Sequence, residues 1–336
     1  MKVWAHIASC LENGDACTLV TVTSVDGSAP REAGARLVVR HDLSFSGTIG
    51  GGTLEFEAIR KAANAAKTGR AAFSEQSVSL GPDLGQCCGG RAKLAFEVFT
   101  PNELETVRLL CQHEQVGKPF GTLAVLEEGR ITKRQILPEL PKEVFAIALD
   151  PGTGKQVLTE RFGTAHRSLY LFGAGHVGRA LVLALAPLPF DVTWIDSRAD
   201  QFPGPVPANV TKTCVANPAE VLVKAPEDAF VLAVTHSHGL DEEIMARALL
   251  EQRFEYCGVI GSKTKRARFR KRLKARGLTE ALLSKMVCPV GNTAIKSKHP
   301  AAIAAGVVVD LLERDEAGHQ QDIASGGLAQ IIPHGQ

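Results

Sequence analysis

The chain has 336 residues, of which 45% are hydrophobic and 22% are charged. A chain of this length and composition can bury about two hydrophobic cores, which excludes an intrinsically disordered protein. The formal net charge of +2 provides no global field that would attract nucleic acid or an anionic membrane. We therefore expect neither of these partners.

Cysteine usage and hydrophobic runs bear on where the protein works. The eight cysteines show no Cys-x-x-Cys spacing, so they match neither a zinc site nor a dense disulfide framework. No apolar run approaches the ~20 residues that a membrane helix needs. The N-terminal amphipathic stretch has too few apolar residues for a secretion signal. The sequence predicts a cytoplasmic protein with free thiols.

Three segments follow one another along the chain. Residues 1–100 predict a small α+β domain with several strands and a helix over 53–67. Residues 101–165, a middle segment or linker, open with the capping box that Thr100 and Glu103 form around Pro101. Residues 166–336 alternate strands and helices, which indicates a parallel sheet covered on both faces. The predicted fold class is α/β: a C-terminal Rossmann-like domain preceded by an N-terminal α+β domain.

A glycine signature opens the third segment. Gly173, Gly175 and Gly178 follow a buried strand and lead into a helix, and Asp196 ends the next strand. Strand, glycines, helix and terminal acid together are typical of a dinucleotide-binding unit. In such a unit the glycines admit a pyrophosphate and the acid accepts from a ribose hydroxyl, while Arg198 would meet an extra phosphate. A degenerate unit that binds no nucleotide is the alternative.

Two later loops are expected at the same crevice, because the loops after the first, fourth and fifth strands of a doubly wound sheet converge. The loop after the fourth strand carries His236 and His238, which could contact a ligand, transfer protons or bind a metal. A purely structural loop is the alternative. The loop after the fifth strand carries Ser262, Lys263 and Arg266 at a helix start, a pattern typical of an anion site. A solvated basic helix is the alternative there.

The N-terminal domain has its own cluster of unusual residues. Cys87 and Cys88 are adjacent and are followed by Gly89 and, at the start of a strand, by Arg91. A neighbouring guanidinium lowers the pKa of a thiol, which favours a nucleophilic or metal-binding thiolate. A buried turn in which cysteine acts as a small hydrophobic residue is the alternative.

A second glycine cluster also leads into a helix. Gly50, Gly51 and Gly52 present backbone amides that would cradle an anion, and Arg31 would add a cation. Ordinary hairpin turns are the alternative reading of these glycines.

These motifs resemble those of the XdhC/CoxI family, in family order and over nearly the whole chain. One departure occurs near the C-terminus, where the family pattern Ile-Gly-x-Lys-x-Pro has lost its glycine beside Ile295. The matching stretches are residues 27–36, 47–55, 80–90, 172–181, 235–238 and 260–269.

The resemblance implies a carrier for the molybdenum cofactor, Mo-molybdopterin. Such a carrier shelters the cofactor while a cysteine desulfurase replaces an oxo ligand by sulfide, and then delivers it to the molybdenum subunit of apo xanthine dehydrogenase. It is an accessory factor rather than a turnover enzyme. On this hypothesis Cys87 or Cys88 coordinates molybdenum or relays sulfur, and the glycine loops with Lys263 and Arg266 hold the phosphate.

Two other functions remain open at this point. An NAD(P)-dependent oxidoreductase would use the Rossmann domain, with a nucleotide or NAD(P) in its crevice and His236 or His238 as the acid–base group. It would leave the glycine- and cysteine-rich N-terminal loops without a task. A pterin nucleotidyltransferase is a weaker alternative, because no N-terminal nucleotide loop with a basic partner motif is visible. Homodimerisation is open as well, since no apolar stripe specifies it.

Overall fold

The chain divides into two compact units, and the division falls between Ala165 and His166. The computed structural model describes residues 2–80, 89–292 and 294–325. Residues 101–165, set apart above as a middle segment, fold as part of the first unit. Within the described ranges, every helix is too short or too polar to cross a lipid bilayer.

In its described residues, 2–80 and 89–165, the first unit contains three helices and nine strands. A short 3₁₀ turn at Pro101–Glu103 precedes the third helix, and the expected capping box between Thr100 and Glu103 is present. The elements in chain order are α1 (Val3–Glu12), β1 (Cys17–Asp26), β2 (Arg36–Arg40), β3 (Phe45–Gly47), α2 (Gly52–Lys67), β4 (Ala72–Ser79), β5 (Arg91–Phe99), α3 (Leu104–Gln115), β6 (Phe120–Glu127), β7 (Arg130–Ile136), β8 (Phe145–Leu149) and β9 (Gln156–Phe162).

Two antiparallel sheets organise this unit. The larger sheet has the order β3-β2-β1-β5-β4, and the smaller one has the order β7-β6-β9-β8. Helix α2 buries Leu54, Ala58 and Ala62 with Val20 and Leu94 of the larger sheet. A second cluster joins α1, α3 and both sheets. Its largest members are Trp4, Phe99, Phe120 and Phe162.

A buried ionic cluster links the two sheets. Arg134 on β7 donates to Glu97 on β5 and to Glu160 on β9, each at 2.6 Å. Arg36 on β2 also contacts Glu160, at 3.4 Å. All four side chains are less than one-tenth exposed. Because buried charges are costly unless they are paired, an arrangement of the two sheets that separated these side chains would be disfavoured.

The second unit alternates strands and helices. A 3₁₀ helix, Pro218–Lys224, stands where a regular crossover helix is usual between its third and fourth strands. The elements are β10 (Arg167–Phe172), α4 (His176–Leu185), β11 (Phe190–Asp196), β12 (Val210–Cys214), β13 (Phe230–Ala233), α5 (His238–Glu251), β14 (Tyr256–Val259), α6 (Lys263–Ala275), α7 (Glu280–Ser284), β15 (Met286–Val287) and α8 (Pro300–Ser325).

The sheet of the second unit is parallel throughout and has the order β12-β11-β10-β13-β14-β15. Numbered within the unit, this is 3-2-1-4-5-6, the order of the doubly wound dinucleotide-binding fold. One core cluster includes Ile195, Val231 and Met245, and another includes Trp194 and Leu181. The fold class expected from the sequence is confirmed.

Candidate functional site

Strand order reverses between β10 and β13, which places the ligand crevice of this fold class at their carboxyl ends. The loops that follow β10, β13 and β14 leave the same edge of the sheet, because all three strands are parallel. We call these three segments the crevice loops: residues 173–175, 234–237 and 260–262.

The three glycines of the first crevice loop have distinct roles. Gly173 has a φ of +115°, and a Cβ there would lie 2.6 Å from the Val234 carbonyl oxygen. A Cβ on Gly178 would lie 2.0 Å from the carbonyl oxygen of Gly173, so only glycine lets α4 pack this close to the loop. A Cβ on Gly175 would meet nothing within 4 Å. The loop therefore leaves open space at Gly175, where a phosphate approaches in this fold class.

Asp196 ends β11, as expected, but the protein itself uses its carboxylate. Oδ2 accepts from the Ala174 amide at 2.7 Å, and Oδ1 accepts from the Arg198 amide at 3.0 Å. The Arg198 guanidinium donates to both oxygens at 2.9 Å. Burial by itself would raise the pKa of Asp196, but these donors outweigh it and hold the pKa below its usual range. A ribose hydroxyl would have to displace one of them.

Helix starts at the crevice differ in how they are capped. Ser237 Oγ accepts from the Leu240 amide at the start of α5, and Ser262 Oγ accepts from the Lys265 amide at the start of α6. Ser262, a predicted contact residue, is therefore a helix cap. Helix α4 follows Gly175, its N-cap residue, and has no side-chain cap. Its first amides are the donors that remain available to an anion.

The second crevice loop combines two exposed histidines with a buried acid. His236 and His238 both face solvent. Asp241 is 1% exposed and accepts from the Thr235 amide and hydroxyl at 3.1 and 2.8 Å. Lys265 donates to its other oxygen at 2.7 Å. Because Asp241 is engaged in this way, it is a structural residue and does not complete a metal site with the histidines.

Metal-ligand geometry is absent from the part of the chain that the structure describes, where no three His, Cys, Asp or Glu side chains form a group able to hold an ion. Cys87 and Cys88, the predicted metal ligands, lie outside the described residues. Their role stays a prediction.

The basic helix after β14 is only partly neutralised by acids. Arg270 and Lys274 contact Glu280, and Arg272 and Arg276 contact Glu242. The side chains of Lys263 and Arg266 are exposed and make no hydrogen bond or ion pair with any described residue. These two cations flank the third crevice loop and are available to an anionic ligand or partner.

The N-terminal motifs come together at one end of the larger sheet of the first unit. A Cβ on Gly90 would lie 2.4 Å from the Ser28 carbonyl oxygen, and a Cβ on Gly50 would lie 2.3 Å from Pro30 Cβ. The Leu80 amide donates to the Gly90 carbonyl at 2.8 Å, which closes the β4–β5 hairpin. Residues 27–30, 50, 80 and 90 thus share one location in this unit.

Several predicted contacts line this end of the sheet. Gly89 and Arg91, which follow the two cysteines, are both exposed. Arg31 is half-buried and donates to Glu32 at 2.9 Å.

Backbone amides at the second glycine cluster bind the carboxylate of Glu55, a residue of the same chain. Glu55 Oε2 accepts from the Thr48 hydroxyl at 2.6 Å and from the amides of Ile49 at 2.8 Å and Gly51 at 3.2 Å. Burial alone would raise the pKa of Glu55, but the hydrogen bonds outweigh it and the pKa is lowered. An external anion at Gly50–Gly52 would therefore compete with the Glu55 carboxylate. The glycine pattern in the sequence predicted free amides and did not indicate that Glu55 occupies them.

Comparison with known proteins adds the family. Residues 169–311 match the model of the XdhC Rossmann domain, and residues 10–77 match that of the XdhC and CoxI family. Among curated proteins, the chain is 25% identical over 337 aligned residues to YqeB of Escherichia coli K12, which is uncharacterized. That alignment covers 99% of this chain and 49% of YqeB, so the chain spans about half the length of this relative.

Among solved structures, a crystal structure described as a xanthine dehydrogenase from Bacillus halodurans has the same fold. The TM-score is 0.74 at 22% identity, over 94% of this chain and 96% of that one. Two regions of the chain, which together exceed half its length, match models of one family in the expected order. The chain belongs to the XdhC and CoxI family.

Proposed function

We propose that the protein is an accessory factor that binds Mo-molybdopterin as cargo, supports its sulfuration and delivers it to the molybdenum subunit of an apo xanthine dehydrogenase. Family membership supports the coarser statement, an accessory role in maturation. One observation supports the finer proposal: the same chain carries the adjacent thiols of Cys87 and Cys88 in one unit and, in the other, a crevice at which helix α4 starts without a side-chain cap.

The cargo has chemistry that suits these two features. A dithiolene-bound molybdenum is a soft centre, for which thiolates are fitting ligands. Cys87 and Cys88 supply such thiolates on the segment that joins β4 to β5. The phosphate of the pterin suits an uncapped helix start with Lys263 and Arg266 nearby along the crevice edge. A cysteine desulfurase would supply the sulfur.

Metal retention tests the thiolate role. We would purify the protein from a host that makes the molybdenum cofactor and measure bound molybdenum by mass spectrometry and bound pterin by fluorescence after oxidation. Cys87→Ala and Cys88→Ala should each lose most of the molybdenum. Cys214→Ala removes an exposed thiol at the end of β12 and serves as the matched control. Equal molybdenum in all variants would remove the thiolate role.

Transfer tests the carrier role. Loaded protein incubated with sulfide donor, cysteine desulfurase and apo xanthine dehydrogenase should restore hydroxylase activity, and unloaded protein should not. Failure of loaded protein to restore activity, with free cofactor succeeding under the same conditions, would refute delivery.

An NAD(P)-dependent oxidoreductase remains the second candidate, because the strand order and the glycine geometry of the second unit are those of a dinucleotide-binding fold. This candidate depends on whether the crevice can accept an adenosine ribose.

A further inference from the structure

We infer that Arg198 closes the position at which a Rossmann unit binds an adenosine ribose, so that the crevice selects phosphate esters that carry no free ribose diol. This inference deepens the proposed function by naming the ligand class of the crevice. It rests on that proposal only in taking the crevice as a phosphate-ester site.

The hydrogen bonds of Asp196 carry the inference. An ionised carboxylate has about four acceptor positions, two on each oxygen. Here Oδ1 accepts from the Arg198 amide and Nε, and Oδ2 accepts from the Ala174 amide and Arg198 Nη2. All four bonds are 2.7–3.0 Å long, and Asp196 is 5% exposed. The carboxylate therefore has no acceptor position left for a hydroxyl group.

The donors to Asp196 are of two kinds, backbone amides and a guanidinium, and they differ in whether they can move away from the carboxylate. The Ala174 and Arg198 amides are backbone groups that the ends of β10 and β11 hold in place. The guanidinium is a side chain, one-third exposed, that grips both oxygens in the paired geometry typical of strong Arg–carboxylate contacts. Only the side chain can leave without unfolding the loop.

Removal of that side chain would create a ribose site of the usual kind. It would vacate one acceptor position on each carboxylate oxygen while both backbone bonds remain. Two neighbouring acceptors match the two hydroxyl donors of a vicinal diol. Arg198 is therefore the residue that decides whether the crevice accepts a ribose, whereas the open amides at the start of α4 accept a phosphate in either case.

A 2′-phosphorylated ribose gives the discriminating comparison. In a variant without the guanidinium, the 2′-phosphate of NADPH would face the uncompensated Asp196 carboxylate, and like charges repel. NADH, which carries the free diol, would gain two charge-assisted hydrogen bonds. An effect of Arg198 on general access or stability would change the binding of both dinucleotides alike.

The test is calorimetric and fluorescence titration of the full chain with NADH, NADPH and ADP-ribose. Arg198→Ala should bind NADH and ADP-ribose at least about tenfold more tightly than the unmodified protein, since each bond to a charged group contributes about 1.5–3 kcal/mol. NADPH affinity should not rise. Arg198→Lys should give a smaller gain, because an ammonium keeps part of the contact with Asp196.

Arg247→Ala removes another paired arginine, bonded to Glu251 on α5, and is the control that should leave all three titrations unchanged. Equal NADH binding by the unmodified protein and Arg198→Ala would overturn the inference, as would equal gains for NADH and NADPH. Absence of NADH binding in every variant would also overturn it. Molybdopterin retention by the unmodified protein is measured separately, so failure here and failure of the carrier proposal are distinguishable.

Discussion

The ammonium of Lys265 lies 2.7 Å from the carboxylate of Asp241, and this contact ties the loop after β13 to the first turn of α6. Lys265 also donates to the Ile260 carbonyl at 2.7 Å, and its side chain is only 11% exposed. Asp241 in turn holds the amide and hydroxyl of Thr235. One buried ion pair therefore fixes the positions of two crevice loops.

Asp241→Asn should destabilise the second unit, because it leaves the buried Lys265 charge without its partner. Breaking a buried pair from one side costs about 3–5 kcal/mol, which corresponds to a fall of roughly 6–20 °C in the Tm of a unit this size. Thermal unfolding followed by circular dichroism measures the change. Asp191→Asn, at an exposed pair with His166, should leave Tm nearly unchanged. Equal Tm values for both variants would show that the Lys265 pair is dispensable.

Two glycines of the first crevice loop should respond differently to the same substitution. Gly178→Ala places a Cβ against the backbone of Gly173, and we expect a loss of about 3 kcal/mol. Gly175→Ala should change stability by no more than about 0.5 kcal/mol, because its φ of −74° suits alanine and the space around it is open. Chemical denaturation of the two variants measures both values. Similar losses would contradict the packing role of Gly178.

Glu55→Ala should destabilise the first unit by about 1 kcal/mol, since the Thr48 hydroxyl and the amides of Ile49 and Gly51 lose their acceptor. Because folding lowers the pKa of Glu55, its contribution is present above the ordinary value near 4.5 and is lost as pH falls through the folded-state pKa. The stability difference from unmodified protein should therefore shrink below about pH 4. Glu57→Ala, at an exposed neighbour on α2, is the control. A difference that stays constant with pH would exclude the carboxylate as its source.

Charge reversal at the third crevice loop tests the anion site. Lys263→Glu combined with Arg266→Glu should reduce retention of the pterin cofactor, and the reduction should be smaller at high salt because ions screen exposed charges. Arg268→Glu combined with Lys271→Glu changes the charge of the same helix by the same amount, farther from the crevice edge. Pterin fluorescence at two salt concentrations measures retention. Equal losses in both double variants would favour a solvated helix without a specific site.

The Rossmann fold of the second unit could be predicted because its signals are local. The buried strand before Gly173, the amphipathic helix after it and the terminal acid Asp196 lie within 30 consecutive residues, 167–196. Parallel strands then required the crevice loops to share an edge. The 3₁₀ helix Pro218–Lys224 departs from the regular crossover helix that is usual between the third and fourth strands of this fold, and no local pattern in the sequence indicates the departure.

Contacts between distant residues could not be predicted. Lys265 and Asp241 are 24 positions apart. Asp196, the acid that Arg198 contacts, also accepts from the amide of Ala174, 22 positions earlier in the chain. The segment Arg130–Ile136 is rich in charge and gives no sign that Arg134 is buried. Such pairings depend on tertiary structure, because a charged side chain looks the same in sequence whether its partner is water or a buried acid.

Arg134 and Glu97 give the last prediction, which concerns pH. Burial raises the pKa of Glu97 to about 7, although Arg134 lies 2.6 Å away and attracts the charged form. Glu160, which also faces Arg134, adds to the rise. An acid whose pKa is raised by folding keeps its proton in the folded state while the unfolded chain loses it, so stability falls as pH rises from about 4.5 to about 7.

Glu97→Gln should remove this part of the pH dependence. Glutamine keeps an acceptor for Arg134 and has no proton to release. The free energy of unfolding of the variant should therefore fall less than that of the unmodified protein between about pH 5 and about pH 7. Denaturant unfolding across that range measures the difference. Glu12→Gln, at an exposed pair with Arg108, should reproduce the profile of the unmodified protein. Parallel profiles for Glu97→Gln and the unmodified protein would mean that Glu97 is ionised throughout, with Arg134 outweighing the cost of burial.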